Sequence, residues 1–387
     1  MLHRRVRAGL VLLLSIFAIV SATGSDTAWS QSAINPSVND QAVTPHASCT
    51  SLEACGVNFR LAPGSPPPPG ARRLSDDIYH LPPDTRDGVD KAALDAVAVW
   101  VETDGMVQVD APPAADIDGV IASTVNDPRA GEQYSLSRMA VPQAWDTARG
   151  DGIVIAVVDS GVDFDHHDLT GKAVSRGRDL VDNDNDATDT HGHGTHVASI
   201  AAAATDNGVG MAGVGYAARL LPVRVLGVNG SGGTATIAEG IAWAADNGAR
   251  VINLSLGSSY PSQTLQAAVE YAAGKGALVV CAAGNNGNSQ PLYPAAYPAC
   301  LAVGATDSAD RLAGFSNRGA AWVDVAAPGA GVLGALRGGG WQAWDGTSMA
   351  AGQVSGVAAL VWSAHPTWTA AQVRQAIETT TDPVVGP

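Results

Sequence analysis

From residue 125 onward the chain alternates short apolar runs with stretches of helical period, and this alternation constrains the fold more than any other feature. Residues 152–158, 219–226, 250–256, 277–282 and 300–305 are apolar along most of their length rather than at every second position. Strands of that kind are buried on both faces, as in a parallel sheet covered by helices. Helix-periodic segments fall between and after them, at 193–204, 234–247, 263–275, 348–362 and 369–379. Parallel neighbours need a long crossover, so the pattern predicts a three-layer α/β/α domain with a mainly parallel sheet and right-handed connections. In such sheets ligands bind beyond the carboxyl ends of the strands.

Composition agrees with a folded interior. With 46% hydrophobic and 15% charged residues, the chain is neither disordered nor built to coat nucleic acid. A net charge of −15 disfavours DNA, RNA and anionic membranes as partners and favours cations.

The first 124 residues differ in character. Arg4, Arg5 and Arg7 precede an apolar stretch from 8 to 22, and small residues follow at 20–22 and 28–30, the layout of a secretory signal peptide over residues 1–30. The stretch is short for a membrane span, so export as a soluble protein is expected, with no stable membrane insertion after the signal is cut. Residues 31–124 read as a small region ahead of the main domain at 125–387. Within it the proline run 63–70 is an extended linker with the folded piece after it, and 96–102 and 106–110, joined by Thr103-Asp104-Gly105, read as a β-hairpin. Cys49, Cys55, Cys281 and Cys300 are an even number in an oxidising compartment. Proximity favours the pairs Cys49–Cys55 and Cys281–Cys300 over crossed pairings.

Three positions carry chemistry. Ser348 lies where the small-residue turn Asp345-Gly346-Thr347 runs into an apolar helix, which exposes its hydroxyl beside the N–H groups of the first helical turn. A serine nucleophile needs a histidine to take its proton and a carboxylate to hold that histidine. His193, between glycines at a helix start, and Asp159, at the end of the first main strand, supply both. The tract His191, His193 and His196 also has the look of a zinc site. It lacks the four-residue spacing and the intervening glutamate of HExxH, so zinc is disfavoured.

Asp159-Ser160-Gly161, His193-Gly194-Thr195-His196-Val197-Ala198 and Gly346-Thr347-Ser348-Met349-Ala350, in that order, resemble the three signatures of the subtilisin-like serine proteases; Asp, His, Ser is the known chain order of subtilisin. The resemblance covers residues 125–387. It implies a serine endopeptidase working through Asp159, His193 and Ser348, with Asn285 of Ala282-Ala283-Gly284-Asn285 as a donor to the oxyanion. It also implies that Gly230, Ser231 and Gly232, with Ser255, Leu256 and Gly257, bind an extended polypeptide substrate through main-chain hydrogen bonds, which gives broad specificity. Residues 286–293 are expected to shape the main specificity pocket. A monomer is expected, and the region before 125 would be a propeptide that occupies the active site until it is cut off.

Asp179, Asp182, Asp184 and Asp186, with Thr188, crowd carboxylates into one loop, and hard oxygen ligands around calcium would relieve their repulsion. The spacing is similar to a calcium loop of thermitase-like members of the family. By the same resemblance Asp127, Asp168 and Asn207, with Thr205, Val209 and Met211, would hold a second calcium. Two departures stand out. Gly352-Gln353 replaces the family's Pro-His after the nucleophile and is expected to loosen the helix, and the chain stops at Pro387 soon after the last helical pattern. They motivate an alternative, a catalytically weak, calcium-dependent peptide-binding relative.

Overall fold

The structure, a computed structural model, describes residues 4–5, 56–83, 94, 97–109 and 125–384. Seven strands build the main sheet: β1 (Val154–Asp159), β2 (Arg178–Asp179), β3 (Arg219–Arg224), β4 (Val251–Leu254), β5 (Leu278–Ala282), β6 (Cys300–Thr306) and β7 (Val325–Pro328). They lie in the order β7-β6-β5-β4-β1-β3-β2, with all neighbours parallel. The five strands expected from the sequence are all present. The two-residue β2 and the proline-ended β7 were not, being too short to give a pattern of their own. At the outer edge Arg4–Arg5 runs parallel to β7 and antiparallel to Asp382–Pro383. The remainder of the expected signal peptide lies outside the described residues.

The alternation along each strand sorts side chains into two layers. Ile155 and Val157 of β1 belong to one core and Ala156 and Val158 to the other, as Val280 and Ala282 of β5 oppose Val279 and Cys281. Both faces are apolar because helices cover both. On the first face lie α1 (His193–Ala202), α4 (Thr347–Ala364) and α5 (Ala370–Thr379); on the second lie α2 (Thr234–Asp246) and α3 (Gln263–Gly274). α4 is buried continuously from Thr347 to Trp362, as expected of a helix that is apolar all round. Cys281 and Cys300 are joined in a disulfide between β5 and β6, as proximity favoured. Cys49 and Cys55 lie outside the described residues.

α4 is continuous through Gly352, and its glycines serve packing. A methyl at Gly352 would lie 3.2 Å from Val197 O of α1, and one at Gly356 would lie 2.5 Å from Val214 Cβ and 2.8 Å from Ala201 O. The two glycines sit one turn apart and let the backbones of α4 and α1 approach closely. The cost of about 1 kcal/mol in helix propensity is offset by that packing.

Ahead of the main domain, Val57–Leu61, Arg72–Arg73, Ile78–Leu81 and Ala98–Thr103 form a small antiparallel sheet around Val57, Phe59, Leu61, Leu81 and Leu94. Two expectations are corrected here. The proline run 63–70 connects two strands of this sheet, so part of the folded piece precedes it. The hairpin does not form, for Ala98–Thr103 pairs with Val57–Leu61, whereas Met106–Gln108 pairs with Ser231–Gly233 of the main domain. The turn residues are drawn to α2 instead, with Gly105 N donating to Thr234 Oγ1 at 3.1 Å and Ala235 N donating to Asp104 Oδ1 at 2.9 Å.

Candidate active site

β1 delivers Asp159 to the carboxyl end of the sheet and α1 delivers His193 to the same point. Both are buried, and His193 Nδ1 lies 2.8 and 2.9 Å from the two oxygens of Asp159. A carboxylate only accepts, so Nδ1 carries the proton and Nε2 is left as the basic nitrogen. The close approach of α1 to β1 depends on Gly194, where a methyl would lie 2.1 Å from Gly161 O. Asp189 sets the start of this helix. Its carboxylate accepts from the backbone N–H of His191, Gly192 and Thr195, and from the hydroxyls of Ser160 and Thr195. Sequence reading passed over Asp189, although an aspartate just ahead of a helix is a recognisable capping signal.

Ser348 lies in the first turn of α4. Its Oγ donates to Ser255 O at 3.3 Å, and Ser255 Oγ donates to Ser348 O at 3.1 Å. Since Ser255 follows β4 and β4 neighbours β1, the serine sits one strand from the Asp159–His193 pair. Asn285 follows β5, and its Oδ1 accepts from Thr347 N at 2.8 Å and Thr347 Oγ1 at 3.0 Å. Thr347 thereby fixes the amide with its nitrogen turned the other way, a positioning role absent from the sequence reading.

The two segments expected to bind an extended peptide flank one strand of this chain. Ser231 and Gly232 are in register with Gln108 and Val107, and Val109 N donates to Gly230 O at 2.9 Å. On the other side Gln108 and Gly257 exchange backbone hydrogen bonds of 3.3 and 3.1 Å. A cavity of about 590 Å³ opens beside this strand, lined by Ser348, Asn285, Leu256, Gly257 and Leu292 among others.

The three histidines do not converge. His196 is fully buried, bonded to Gln342 O at 3.0 Å and stacked on Trp344, and burial pushes its pKa down to about 3. His193 is held by Asp159, while His191 Nδ1 accepts from His193 N at 3.3 Å. Among the described residues no cluster of three or more His, Cys, Asp or Glu side chains is arranged to hold a metal.

The two proposed cation loops differ. In the loop of Asp179, Asp182, Asp184, Asp186 and Thr188, Arg224 Nη1 lies 2.5 Å from both Asp179 and Asp182, and Arg176 Nη2 lies 2.8 Å from Asp186 and 2.9 Å from Thr188. Arginines meet three of the four aspartates whose repulsion was expected to require calcium, so in this arrangement the loop does not fit the ion. The other group fits better. Asp168 Oδ1 is buried without a hydrogen-bond partner, and burial raises the carboxyls of both Asp168 and Asp127, with Asp168 raising Asp127 further. Asp127 accepts from the N–H of Asp206 and Asn207, and Asp168 Oδ2 accepts from Met211 N, which gathers this loop around the two carboxylates.

A doubly wound α/β domain with a buried Asp–His pair, a helix-borne serine and a strand held by main-chain pairing at one end of its sheet is the arrangement of the serine-protease class of hydrolases. Residues 150–386 match the profile of the Subtilase family. The chain belongs to that family, that of the subtilisin-like serine endopeptidases. It is 49% identical over 257 residues to the thermophilic serine proteinase of Bacillus sp. (strain AK1), a match spanning 66% of this chain and 63% of that protein. It is 47% identical over 264 residues to thermitase of Thermoactinomyces vulgaris, covering 68% of this chain and 93% of the relative. A solved protease of Pseudoalteromonas arctica PAMC 21717 superposes with a TM-score of 0.64 at 36% identity, over 68% of this chain and 94% of that one.

Proposed function

We propose that the chain is a secreted serine endopeptidase, made as a preproprotein, that hydrolyses polypeptides through Asp159, His193 and Ser348. The observation that carries this reading is the buried Asp159–His193 pair at the end of β1, one strand from the helix-borne Ser348. In the reaction Ser348 Oγ attacks the scissile carbonyl as its proton passes to His193 Nε2, and Asp159 stabilises the imidazolium without taking the proton itself. Asn285 Nδ2 and Ser348 N–H receive the oxyanion. His193 then protonates the leaving amine, and a water activated by the same nitrogen releases the acyl group from Ser348. Substrate binding by backbone pairing along Gly230, Ser231, Gly232 and Gly257 reads little sequence, which supports broad specificity.

The region before 125 acts as a propeptide that blocks this groove. In support, Met106–Gln108 takes the middle position between the two groove segments, and two carboxylates beside it cap main-domain helices. Glu102 accepts from Ser262 Oγ and from the N–H of Gln263 and Thr264 at α3, while Asp104 accepts from Ala235 N and Thr234 Oγ1 at α2. Calcium has a structural role at Asp127, Asp168 and Asn207, with oxygens from Thr205, Val209 and Met211; the unpartnered Asp168 Oδ1 supports that site. Calcium supplies charge neutralisation there and no catalytic step.

The test is labelling of the processed protein by a serine-directed fluorophosphonate, beside Ser348→Ala. Labelling that disappears in the variant is expected. A well-folded, processed protein that takes up no label would instead favour the peptide-binding alternative.

A further inference from the structure

We propose that a buried relay of three side chains, Ser355, Asn253 and Ser255, positions the nucleophile Ser348, a role that rests on the hydrolytic reading above. The relay joins α4 to β4. Along β4 Val251 faces the core on the α4 side, and Ile252 and Leu254 face the other core, so Asn253 points toward α4. Asn253, Ser255 and Ser355 are all buried. An amide and two hydroxyls left unpaired in such a place would be costly, and here each is bonded to the next. Ser355 Oγ donates to Asn253 Oδ1 at 3.0 Å, Asn253 Nδ2 donates to Ser255 Oγ at 2.9 Å, and Ser255 Oγ donates to Ser348 O at 3.1 Å. The direction is fixed from the last link. A carbonyl oxygen only accepts, so the Ser255 hydroxyl donates to it and receives from the amide nitrogen of Asn253, which turns the amide oxygen to Ser355.

The relay ties the nucleophile to the strand that lies between its two partners. β4 pairs on one side with β1, which ends in Asp159, and on the other with β5, which leads to Asn285. Apolar packing presses α4 onto the sheet without direction and leaves its axial position loosely set. The hydrogen bonds are directional and remove that freedom. Ser348 and Ser355 stand two turns apart on one face of α4, so the helix is pinned to β4 at its first turn and again further along. The hydroxyl of Ser348 rests on Ser255 O at 3.3 Å. When it turns toward His193 that bond is lost, whereas Ser255 Oγ keeps its hold on the Ser348 carbonyl. The backbone of the nucleophile thus stays in place while its side chain moves, and a misplacement of about 1 Å at such a point costs about a hundredfold in rate.

The test compares processed wild type with Ser255→Ala, Ser355→Ala and the double variant, each matured by bead-bound wild-type enzyme that is then removed. Active sites are counted by fluorophosphonate titration, and kcat and KM are measured on one peptide p-nitroanilide. Ser255→Ala is expected to lower kcat per active site about tenfold or more with KM unchanged, and Ser355→Ala to lower it about threefold. Adding Ser355→Ala to Ser255→Ala should cost no further kcat, because the relay is already cut at Ser255. Residues with only a structural role would lower Tm or the number of active sites and leave kcat per site unchanged. Undiminished kcat per site in folded Ser255→Ala, or losses that add in the double variant, overturns the proposal. If Ser255→Ala misfolds, Ser355→Ala decides, and undiminished kcat per site there overturns it. Labelled wild type beside unaffected variants overturns this inference alone, and folded wild type that takes up no label overturns the hydrolytic reading and this inference with it.

Discussion

Ser348, His193 and Asp159, the groups proposed to react, are held in place by residues whose partners are distant in the sequence. Ser348 and His193 announce themselves by small residues at helix starts, whereas Thr347 acts on Asn285 and Asp189 on Ser160 only once the strands are side by side. Lys172 is a second case. It looks like an ordinary surface lysine in sequence, yet it is buried with Nζ donating to Tyr216 O, and burial lowers its pKa from 10.5 to about 8. Between those two values the unfolded chain holds the proton that the folded chain has lost, so this group makes stability rise with pH from about 8 to 10.5. Below 8 its penalty is constant. In Lys172→Met the rise should vanish, which the difference in Tm between wild type and variant across that window will show; a constant difference would contradict the assignment.

At the scale of elements, the sequence gives the periodicity of each segment and not its partner. The strand Ala98–Thr103 was correctly placed, but its neighbour is Val57–Leu61 rather than Met106–Gln108. Asp104-Gly105 is a good hairpin turn in isolation, and the exposed N–H groups at the start of α2 compete for the same aspartate and win. Glu102 and Asp104 serve the N-termini of α3 and α2, and each such cap contributes about 1 kcal/mol. In an unprocessed precursor carrying Ser348→Ala, the further pair Glu102→Gln and Asp104→Asn should lower stability by about 2 kcal/mol and leave the folded main domain intact. Calorimetry of that precursor measures it, and an unchanged unfolding temperature would remove the caps from the account. Gly352 belongs to this scale too. Helix propensity marks it as a weakness, and the close contact of α4 with α1, where a methyl would press on Val197 O, gives its bare backbone a packing use.

At the scale of the whole molecule, the calcium reading depends on segments brought together from far apart. Asp127, Asp168 and the loop around Asn207 meet only in the folded domain, so an ion bound there would stabilise the native state and not the unfolded chain. Adding calcium to chelated Ser348→Ala protein should raise its Tm, by the equivalent of about 2.7 kcal/mol when the free ion is a hundred times its Kd. Asp168→Asn should abolish most of that gain, and a response untouched by the substitution would place the ion elsewhere. The sequence by itself determined the layered parallel sheet, because runs apolar along their length are buried on both faces, and it singled out the candidate reactive groups, because each lies in a local motif. Tertiary structure alone decided which carboxylates meet an arginine and which strand lies between Ser231–Gly233 and Gly257. Those depend on distances between segments far apart in the chain, such as Arg224 to Asp182 or Gln108 to Gly257, and local periodicity carries no record of such distances.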